Sequence, residues 1–257
     1  ENINKKMPEY QNYIEYEKGT IPLVISVPHG GKLECSELPK RIKGIFGIDK
    51  GTIDLAKDFI KFFSTMKKNS NNSSIKPSYV ISRVRRSKID LNRPETEAFP
   101  PESIISKQIY RFYHDKIKFF IESNIKDFSS SLLVDIHGFE SHKRPPGFRD
   151  VDLIIGTDNL KSLYARQISK KDWHKTLRGK LVKKFVDLKV PIAPGHPKRK
   201  EYVLTGGYIT SCYGASQIPK SQALQIEFSD RIRIHNKQLK MRVLETLALF
   251  LIEEIQN

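Results

Sequence analysis

Short apolar runs that end at turn residues recur along this chain. Residues 132–139, LLVDIHGF, form one such run, and residues 23–31, LVISVPHGG, repeat its ending of a histidine followed by glycine. Runs of this length, rich in branched aliphatic residues and bounded by glycine or proline, predict buried strands. On this basis we predict strands at residues 21–27, 79–84, 132–136, 151–155 and 223–228.

Longer stretches between these runs repeat apolar residues every three or four positions, which is the period of an amphipathic helix. They predict helices at residues 52–67, 102–126, 172–188 and 236–256. Strands that alternate with helices indicate an α/β fold, a three-layer αβα sandwich, which we expect to contain a mixed sheet. Over 257 residues the even spread of apolar runs favours a single domain, with an irregular lead-in at 1–18 and the main domain at 19–257.

The charge of the chain narrows the choice of partners. There are 45 Lys and Arg residues against 29 Asp and Glu residues, a formal net charge of +16, which favours an anionic partner. A small anionic substrate is favoured over nucleic acid, because the basic clusters at 83–86 and 198–200 are short and lack interleaved aromatic residues. No apolar run approaches the ~20 residues of a membrane span.

The sequence leaves the compartment and the oligomeric state open. The chain begins at Glu1 rather than at Met, which is compatible with removal of a leader. We slightly favour a cytoplasmic location and keep secretion as the alternative.

His29 and His137 stand at the ends of two predicted strands. Ligands of open α/β sheets bind outside the carboxyl ends of the strands, so the two imidazoles are expected to meet at one edge. Zinc binds imidazole nitrogen and carboxylate oxygen, and catalytic zinc usually has three protein ligands. We therefore predict one zinc ion per chain, with Asp49 preferred over Glu34 as third ligand because Asp49 stands just before a glycine turn into a helix. The alternative is that each histidine only hydrogen-bonds locally.

Two carboxylates on the predicted strands belong to the same hypothesis. Asp135 and His137 point to the same side of their strand, so Asp135 can orient the imidazole. Glu227 stands near the end of a hydrophobic strand, where a carboxylate is costly to bury without a partner. Beside a metal it could act as a general base. The alternative for Glu227 is a salt bridge to Arg231 or Arg233.

The segment at 86–94 concentrates hydrogen-bond donors. Arginine binds carboxylates through two parallel hydrogen bonds and asparagine adds a neutral donor, so we predict that Arg86, Asn92 and Arg93 contact an anionic substrate. Asp90 can pair with one of the arginines, and the alternative is a solvated basic loop. Tyr208, which follows two glycines, is a weaker candidate for substrate contact. The other histidines, which we predict to lie on the surface, are at positions 114, 142, 174, 196 and 235.

In their residues and in their order along the chain, these motifs resemble those of the N-formylglutamate amidohydrolase family, which is related in fold to the zinc carboxypeptidases. The matching segments are SVPHGG at 26–31, RSKIDLNRP at 86–94, VDIHG at 134–138, GGY at 206–208 and LQIE at 224–227. The resemblance implies a phosphorylase/hydrolase-like αβα sandwich. It also implies that His29 and His137 bind zinc and that Glu227 is the general base.

The resemblance further implies how a substrate is held. Asn92 and Arg93 would bind a substrate carboxylate, with Arg86 close by. In the carboxypeptidases the ligand glutamate follows the first histidine by three residues, and Lys32 occupies that position here. Asp49 therefore becomes the implied third ligand.

We expect from these observations a zinc-dependent hydrolase of an amide bond in a small carboxylate-bearing substrate. Glu227 would deprotonate a water molecule and Arg86 or Arg93 would stabilise the oxyanion. A carboxypeptidase-like metallopeptidase that acts on peptides or cell-wall fragments is an alternative enzyme. An alternative of another class is a non-catalytic basic protein that binds nucleic acid or an acidic polymer.

Overall fold

A mixed β-sheet forms the centre of the computed structural model, which describes residues 12–66, 75–143, 147–202 and 204–256. Its strands in these residues are β1 (Ile14–Glu17), β2 (Leu23–Val27), β3 (Ser78–Ser82), β4 (Ser131–Phe139), β5 (Leu153–Gly156), β6 (Ile192–Ala193) and β7 (Ser221–Ser229). Their order in the sheet is β1-β3-β2-β4-β7-β5-β6. The four strands β3, β2, β4 and β7 are parallel, whereas β1 is antiparallel to β3 and β5 is antiparallel to β7.

Helices cover both faces of this sheet. The α-helices of the described residues are α1 (Thr52–Thr65), α2 (Glu95–Ala98), α3 (Ile104–Phe128), α4 (Leu177–Asp187), α5 (Tyr208–Tyr213) and α6 (Lys237–Gln256). Leu23 and Ile25 of β2 pack in one core with α1, α4 and α6, and Val24 packs in a second core with α3 and α5. Successive residues of a strand point to opposite faces, so a strand buried on both faces is continuously apolar. The predicted three-layer αβα sandwich with a mixed sheet is confirmed.

Some element boundaries differ from the prediction. β1 lies inside the stretch predicted to be an irregular lead-in, of which residues 1–11 are outside the described residues, as is residue 67 of the first predicted helix. β4 continues through His137 to Phe139 because β7 pairs with it over its whole length. The helix predicted at 172–188 begins only at Leu177, because the Thr176 side chain caps it by accepting a hydrogen bond from the amide of Gly179.

The strand register brings the motif residues to one edge of the sheet. β2 and β4 are adjacent and parallel with Ser26 opposite Asp135, so both strands end at the same edge. In the pairing of β4 with β7, His137 lies opposite Glu227. Within the described residues, no helix is both long and apolar enough to cross a membrane.

Candidate active site

Two histidines and an aspartate meet at the carboxyl edge of β2 and β4. His29 follows β2, His137 belongs to β4, and Asp49 precedes α1. One nitrogen or oxygen atom from each residue lies within 4.8 Å of the others, and all three residues are buried. Oδ2 of Asp49 lies 3.7 Å from Nδ1 of His29 and 3.3 Å from Nδ1 of His137. The carboxylate therefore stands between the two rings.

The backbone around Asp49 fixes the position of its carboxylate. The amide of Asp49 donates a hydrogen bond to the carbonyl oxygen of His29 (2.9 Å), and the Thr52 hydroxyl donates to the carbonyl oxygen of Asp49 (2.7 Å). Gly51 between them has a φ of 79°, a conformation that glycine adopts without strain. Finally, Oδ2 of Asp49 accepts a hydrogen bond from the amide of Gly138 (3.1 Å). The turn into α1 thus delivers a carboxylate to the end of β4.

Two further carboxylates, one for each histidine, contact the far side of the rings. Nε2 of His29 lies 2.7 Å from Oδ1 of Asp90, and Nε2 of His137 lies 2.7 Å from Oδ2 of Asp135. Asp135 also accepts a hydrogen bond from the hydroxyl of Ser26. A carboxylate on the outer nitrogen is the usual way in which proteins orient a metal-binding histidine. The arrangement turns both Nδ1 atoms towards Asp49.

The charges of this group influence one another strongly. Burial opposes the ionised form of Asp49, but the neighbouring imidazoles of His137 and His29 outweigh it and hold the pKa of Asp49 well below its usual range. Burial likewise opposes the charged form of His137, but Asp135 and Asp49 outweigh it and raise the pKa of His137 well above its usual value. Two buried imidazoles therefore stand among buried carboxylates, an environment that favours a cation.

The donor atoms of this group fit a zinc ion. Nδ1 of His29 is buried and makes no hydrogen bond among the described residues, although a buried polar atom normally has a partner. Two imidazole nitrogens and one carboxylate oxygen are a ligand set of catalytic zinc sites. His29, Asp49 and His137 could therefore hold the metal, with Asp90 and Asp135 behind the two histidines.

Glu34, the alternative third ligand, lies elsewhere. Its side chain is 57% exposed and forms an ion pair with Arg85. It does not belong to the group of ligand atoms that surrounds Asp49.

Glu227 is buried beside this group, and no arginine of the described residues pairs with it. Arg231 pairs with Asp150 and Asp152, and Arg233 pairs with Glu140, so the salt bridge considered for Glu227 does not form. Instead, Oε1 of Glu227 accepts a hydrogen bond from the side-chain amide of Gln225 (2.9 Å).

Burial raises the pKa of Glu227 above its usual value, the positive charge of His137 opposes that rise, and the negative charge of Asp49 adds to it. A buried carboxylate with a raised pKa is suited to accept and return a proton.

The predicted substrate-binding residues occupy different depths. Nε of Arg86 donates a hydrogen bond to Oδ2 of Asp90 (3.0 Å), and among the described residues the terminal nitrogens of Arg86 donate to no other side chain. Nδ2 of Asn92 lies 3.3 Å from Nε2 of His137. Arg93 is the next residue, and its side chain is exposed. The backbone carbonyl oxygen of Arg93 accepts a hydrogen bond from the hydroxyl of Tyr110. We call His29, Asp49 and His137 the histidine group. The structure brings Arg86 and Asn92 next to this group and its aspartates, and leaves Arg93 at the surface.

Arg41 is a neighbour of the site that the sequence does not single out. Its guanidinium lies 3.7 Å from Oδ2 of Asp90 and donates hydrogen bonds to the carbonyl oxygens of Ile45 and Arg86. Two arginines thus flank the carboxylate that holds His29. Arg41 stands in a loop with other basic residues, and nothing in its local pattern distinguishes it from them.

Tyr208 and His114 pack against each other next to Leu91, the residue before Asn92. Tyr208 is half-buried at the start of α5, and a hydrogen bond with the thiol of Cys212 and burial raise its pKa. His114, predicted to lie at the surface, is instead buried: it packs against Tyr208 and Tyr213, and Nε2 lies 3.0 Å from the carbonyl oxygen of Leu91. The spacing of His114 from Tyr110, Tyr113 and Ile117 on α3 is that of one buried helix face, and could have indicated this.

Comparison with known proteins shows the fold. No family model matches the sequence, and no curated protein matches it. The solved structure of N-formylglutamate amidohydrolase from Ralstonia eutropha JMP134 is similar, with a TM-score of 0.61 and 13% identity over 95% of this chain and 97% of that chain. A gene product of Agrobacterium tumefaciens has a TM-score of 0.54 and 16% identity, over 95% and 93% of the two chains. The chain shares its architecture with both proteins.

Proposed function

We propose that this protein is a zinc-dependent hydrolase that cleaves an amide bond in a small carboxylate-bearing substrate, similar to N-formylglutamate. One observation carries the proposal: Nδ1 of His29, Nδ1 of His137 and Oδ2 of Asp49 converge, while Asp90 and Asp135 hold the opposite nitrogens. The similarity in fold to an N-formylglutamate amidohydrolase supports it.

His29, Asp49 and His137 would hold the metal. Zinc bound there would polarise the amide carbonyl and lower the pKa of a water molecule towards neutrality. Asp90 and Asp135 keep Nε2 of each histidine engaged, so that Nδ1 is the nitrogen left for the metal.

Glu227 is the proposed general base. One of its oxygens accepts a hydrogen bond from Gln225, which leaves the other to take a proton from the attacking water. The same carboxyl group then returns that proton to the nitrogen of the leaving amine as the C–N bond breaks. Burial keeps its pKa raised, so that the protonated form is accessible during the reaction.

Arg86, Asn92 and Arg93 are the proposed contacts of the substrate. The terminal nitrogens of Arg86 and Nδ2 of Asn92 lie beside the histidine group and can donate to a carbonyl oxygen or a carboxylate. Arg93 is exposed and would bind the part of the substrate furthest from the metal. Tyr208 would line the same side through the turn that packs on Asn92.

The first experiment measures zinc and turnover in the same samples. We expect about one zinc per chain in protein purified without added metal, together with release of glutamate from N-formylglutamate. His29→Ala and His137→Ala should lose both, and His235→Ala, which changes an exposed histidine, should retain both. Absence of zinc from the wild type after reconstitution, or its retention in both site variants, would overturn the proposal.

A panel of substrates separates the small amide from a peptide. N-formylglutamate and other N-acylated amino acids present one amide beside one carboxylate, and a peptide with a free carboxyl terminus presents the same pair within a longer chain. Hydrolysis of the peptides alone would replace the proposed substrate with the carboxypeptidase-like alternative.

A further inference from the structure

A buried ion pair outside the candidate metal site joins α4 to the loop that precedes α5. Nη1 of Arg178 lies 2.8 Å from Oε1 of Glu201, and both side chains are almost completely inaccessible to solvent. Removing two charges from water is costly, and such a pair is no better for stability than apolar residues of the same size. Its presence is therefore better explained by what the pair holds in place.

The carboxylate of Glu201 holds a strained turn that follows β5. It accepts hydrogen bonds from the amide of Thr157 (2.8 Å), from the Thr157 hydroxyl and from the amide of Asn159 (3.1 Å). In this turn Asp158, Asn159 and Leu160 have φ values of 46°, 50° and 80°. Non-glycine residues in this region are strained, and they persist where the surroundings enforce them.

The same turn holds the segment that carries Gly206 and Gly207. The amide of Asp158 donates a hydrogen bond to the carbonyl oxygen of Thr205 (2.5 Å), and the amide of Glu201 donates one to Oδ1 of Asn159 (2.9 Å). Gly206 next adopts a φ of 117°, which favours glycine.

This segment ends against the side chain of Asn92. A Cβ atom on Gly207 would overlap the Asn92 amide, so only glycine permits the observed approach. The amide of Ile209 donates a hydrogen bond to Oδ1 of Asn92 (2.9 Å), which aims Nδ2 of Asn92 at the histidine group, 3.3 Å from Nε2 of His137. The chain of contacts thus runs from Glu201 through the strained turn to Asn92.

We propose that Glu201 and Arg178 are positioning residues for the substrate-binding amide of Asn92. The Glu201 carboxylate fixes the strained turn, the turn fixes the Gly206–Gly207 segment, and that segment fixes Oδ1 of Asn92 through the amide of Ile209. This role rests on the proposed function, because Asn92 is there a contact of the substrate.

The test compares Glu201→Gln with Glu254→Gln. Glu254 pairs with Lys180, which is also on α4, at 2.9 Å, so the control makes the same chemical change in an ion pair that has no connection to Asn92. Hydrogen exchange at the amide of Ile209 reports the bond to Asn92 without any substrate. We expect Glu201→Gln to accelerate exchange at Ile209 by ~10-fold or more relative to the strands β4 and β7, and Glu254→Gln to leave it unchanged.

Kinetics supply the second readout. Glu201→Gln should raise KM for N-formylglutamate by about tenfold with kcat within about twofold, as expected for loss of a binding contact. In an Asn92→Ala background the same substitution should have no further effect on KM, because the two residues act as one unit. Glu201→Asp, which keeps the charge, should recover part of the loss.

A variant that preserves the ion pair covers the case in which Glu201→Gln does not fold. Thr157→Val removes the hydroxyl that donates to Glu201 and accepts a hydrogen bond from the amide of Leu160 in the same turn. It should accelerate exchange at Ile209 in the same direction by a smaller factor. Unchanged exchange at Ile209, or an increase shared equally by β4 and β7, would overturn the proposal. If the wild type does not hydrolyse such amides, the proposed function fails, and the exchange measurement still decides whether Glu201 positions Asn92.

Discussion

Oδ1 of Asp90 lies 2.7 Å from Nε2 of His29, while Oδ2 of the same carboxylate accepts a hydrogen bond from Arg86. One buried aspartate thus connects a candidate metal ligand to a candidate substrate contact. Burial opposes its ionisation, but His29 and Arg86 outweigh burial and keep the pKa of Asp90 well below its usual range. Asp90 is therefore an anion that both residues depend on.

Replacing Asp90 with Asn should weaken zinc binding. The amide oxygen of Asn can still accept a hydrogen bond from His29, but it carries no charge to make the imidazole a better ligand, and we expect affinity to fall by ~10-fold. Titration against a chelator of known affinity measures the change. Asp187→Asn, at an exposed aspartate that pairs with Lys183, is the matched control, and an affinity within twofold of the wild type in Asp90→Asn would contradict the assignment.

Replacing Glu227 with Gln should abolish turnover and leave the metal in place. Gln has nearly the same shape but cannot take a proton, so we expect kcat to fall by ~10²–10⁴-fold. Zinc content and the unfolding midpoint, measured on the same preparation, should stay close to those of the wild type. Glu245→Gln, at an exposed position on α6, controls for loss of a charge. Substantial activity in Glu227→Gln would show that another group accepts the proton.

The strands that could be predicted from the sequence are those whose burial requires a run of apolar residues. β2, β4 and β7 are buried over nearly their whole length. The short apolar runs within them, such as LVI at 23–25 and LLV at 132–134, identify interior strands. β1 is an edge strand with the sequence IEYE, and its two glutamates make it as polar as the residues around it. β6 has only two residues. The sequence of neither segment predicts a strand, because β1 is a strand through its pairing with β3 and β6 through its pairing with β5.

Sequence motifs predicted which residues could form the candidate site, but not which of them are in contact. Two histidines at strand ends, and Asp135 two residues before His137, follow from the alternation of a strand. The contact of Asp90 with His29 joins residues 61 positions apart, and that of Arg41 with Asp90 depends on how a loop folds back. Such long-range pairs are set by tertiary packing, which no local spacing records.

Replacing Gly138 with Ala should destabilise the protein. A Cβ atom there would lie 2.5 Å from Nε and 2.6 Å from Cζ of Arg233. Arg233 is buried and donates hydrogen bonds to the carbonyl oxygens of Phe228 and Phe139, so its guanidinium has no room to move. We expect a loss of about 1–3 kcal/mol in the free energy of unfolding, as for other overpacked sites.

Gly47→Ala is the control for this change, because a Cβ atom at Gly47 would meet no atom within 4 Å. Chemical denaturation of the three proteins in the presence of a chelator measures the difference without a contribution from bound metal. Equal stability of the two variants would mean that Arg233 yields to the added methyl group.

The buried His114 should make stability depend on pH. Burial lowers the pKa of His114 from 6.5 to about 4, so the unfolded chain binds this proton at a higher pH than the folded protein does. The contribution of neutral His114 is therefore complete above about pH 6.5 and is lost as the pH falls towards 4, a loss of order 3 kcal/mol. In the wild type freed of metal, the free energy of unfolding should fall across this range.

In His114→Phe the fall should be smaller by that amount, because the other titrating groups are common to both proteins. His174→Asn, at an exposed histidine, should keep the wild-type profile. Parallel profiles for the wild type and His114→Phe would show that the folded protein accommodates the charged imidazole. In that case the hydroxyl oxygen of Tyr213, 2.8 Å from Nδ1, is the group that accepts a hydrogen bond from the added N–H.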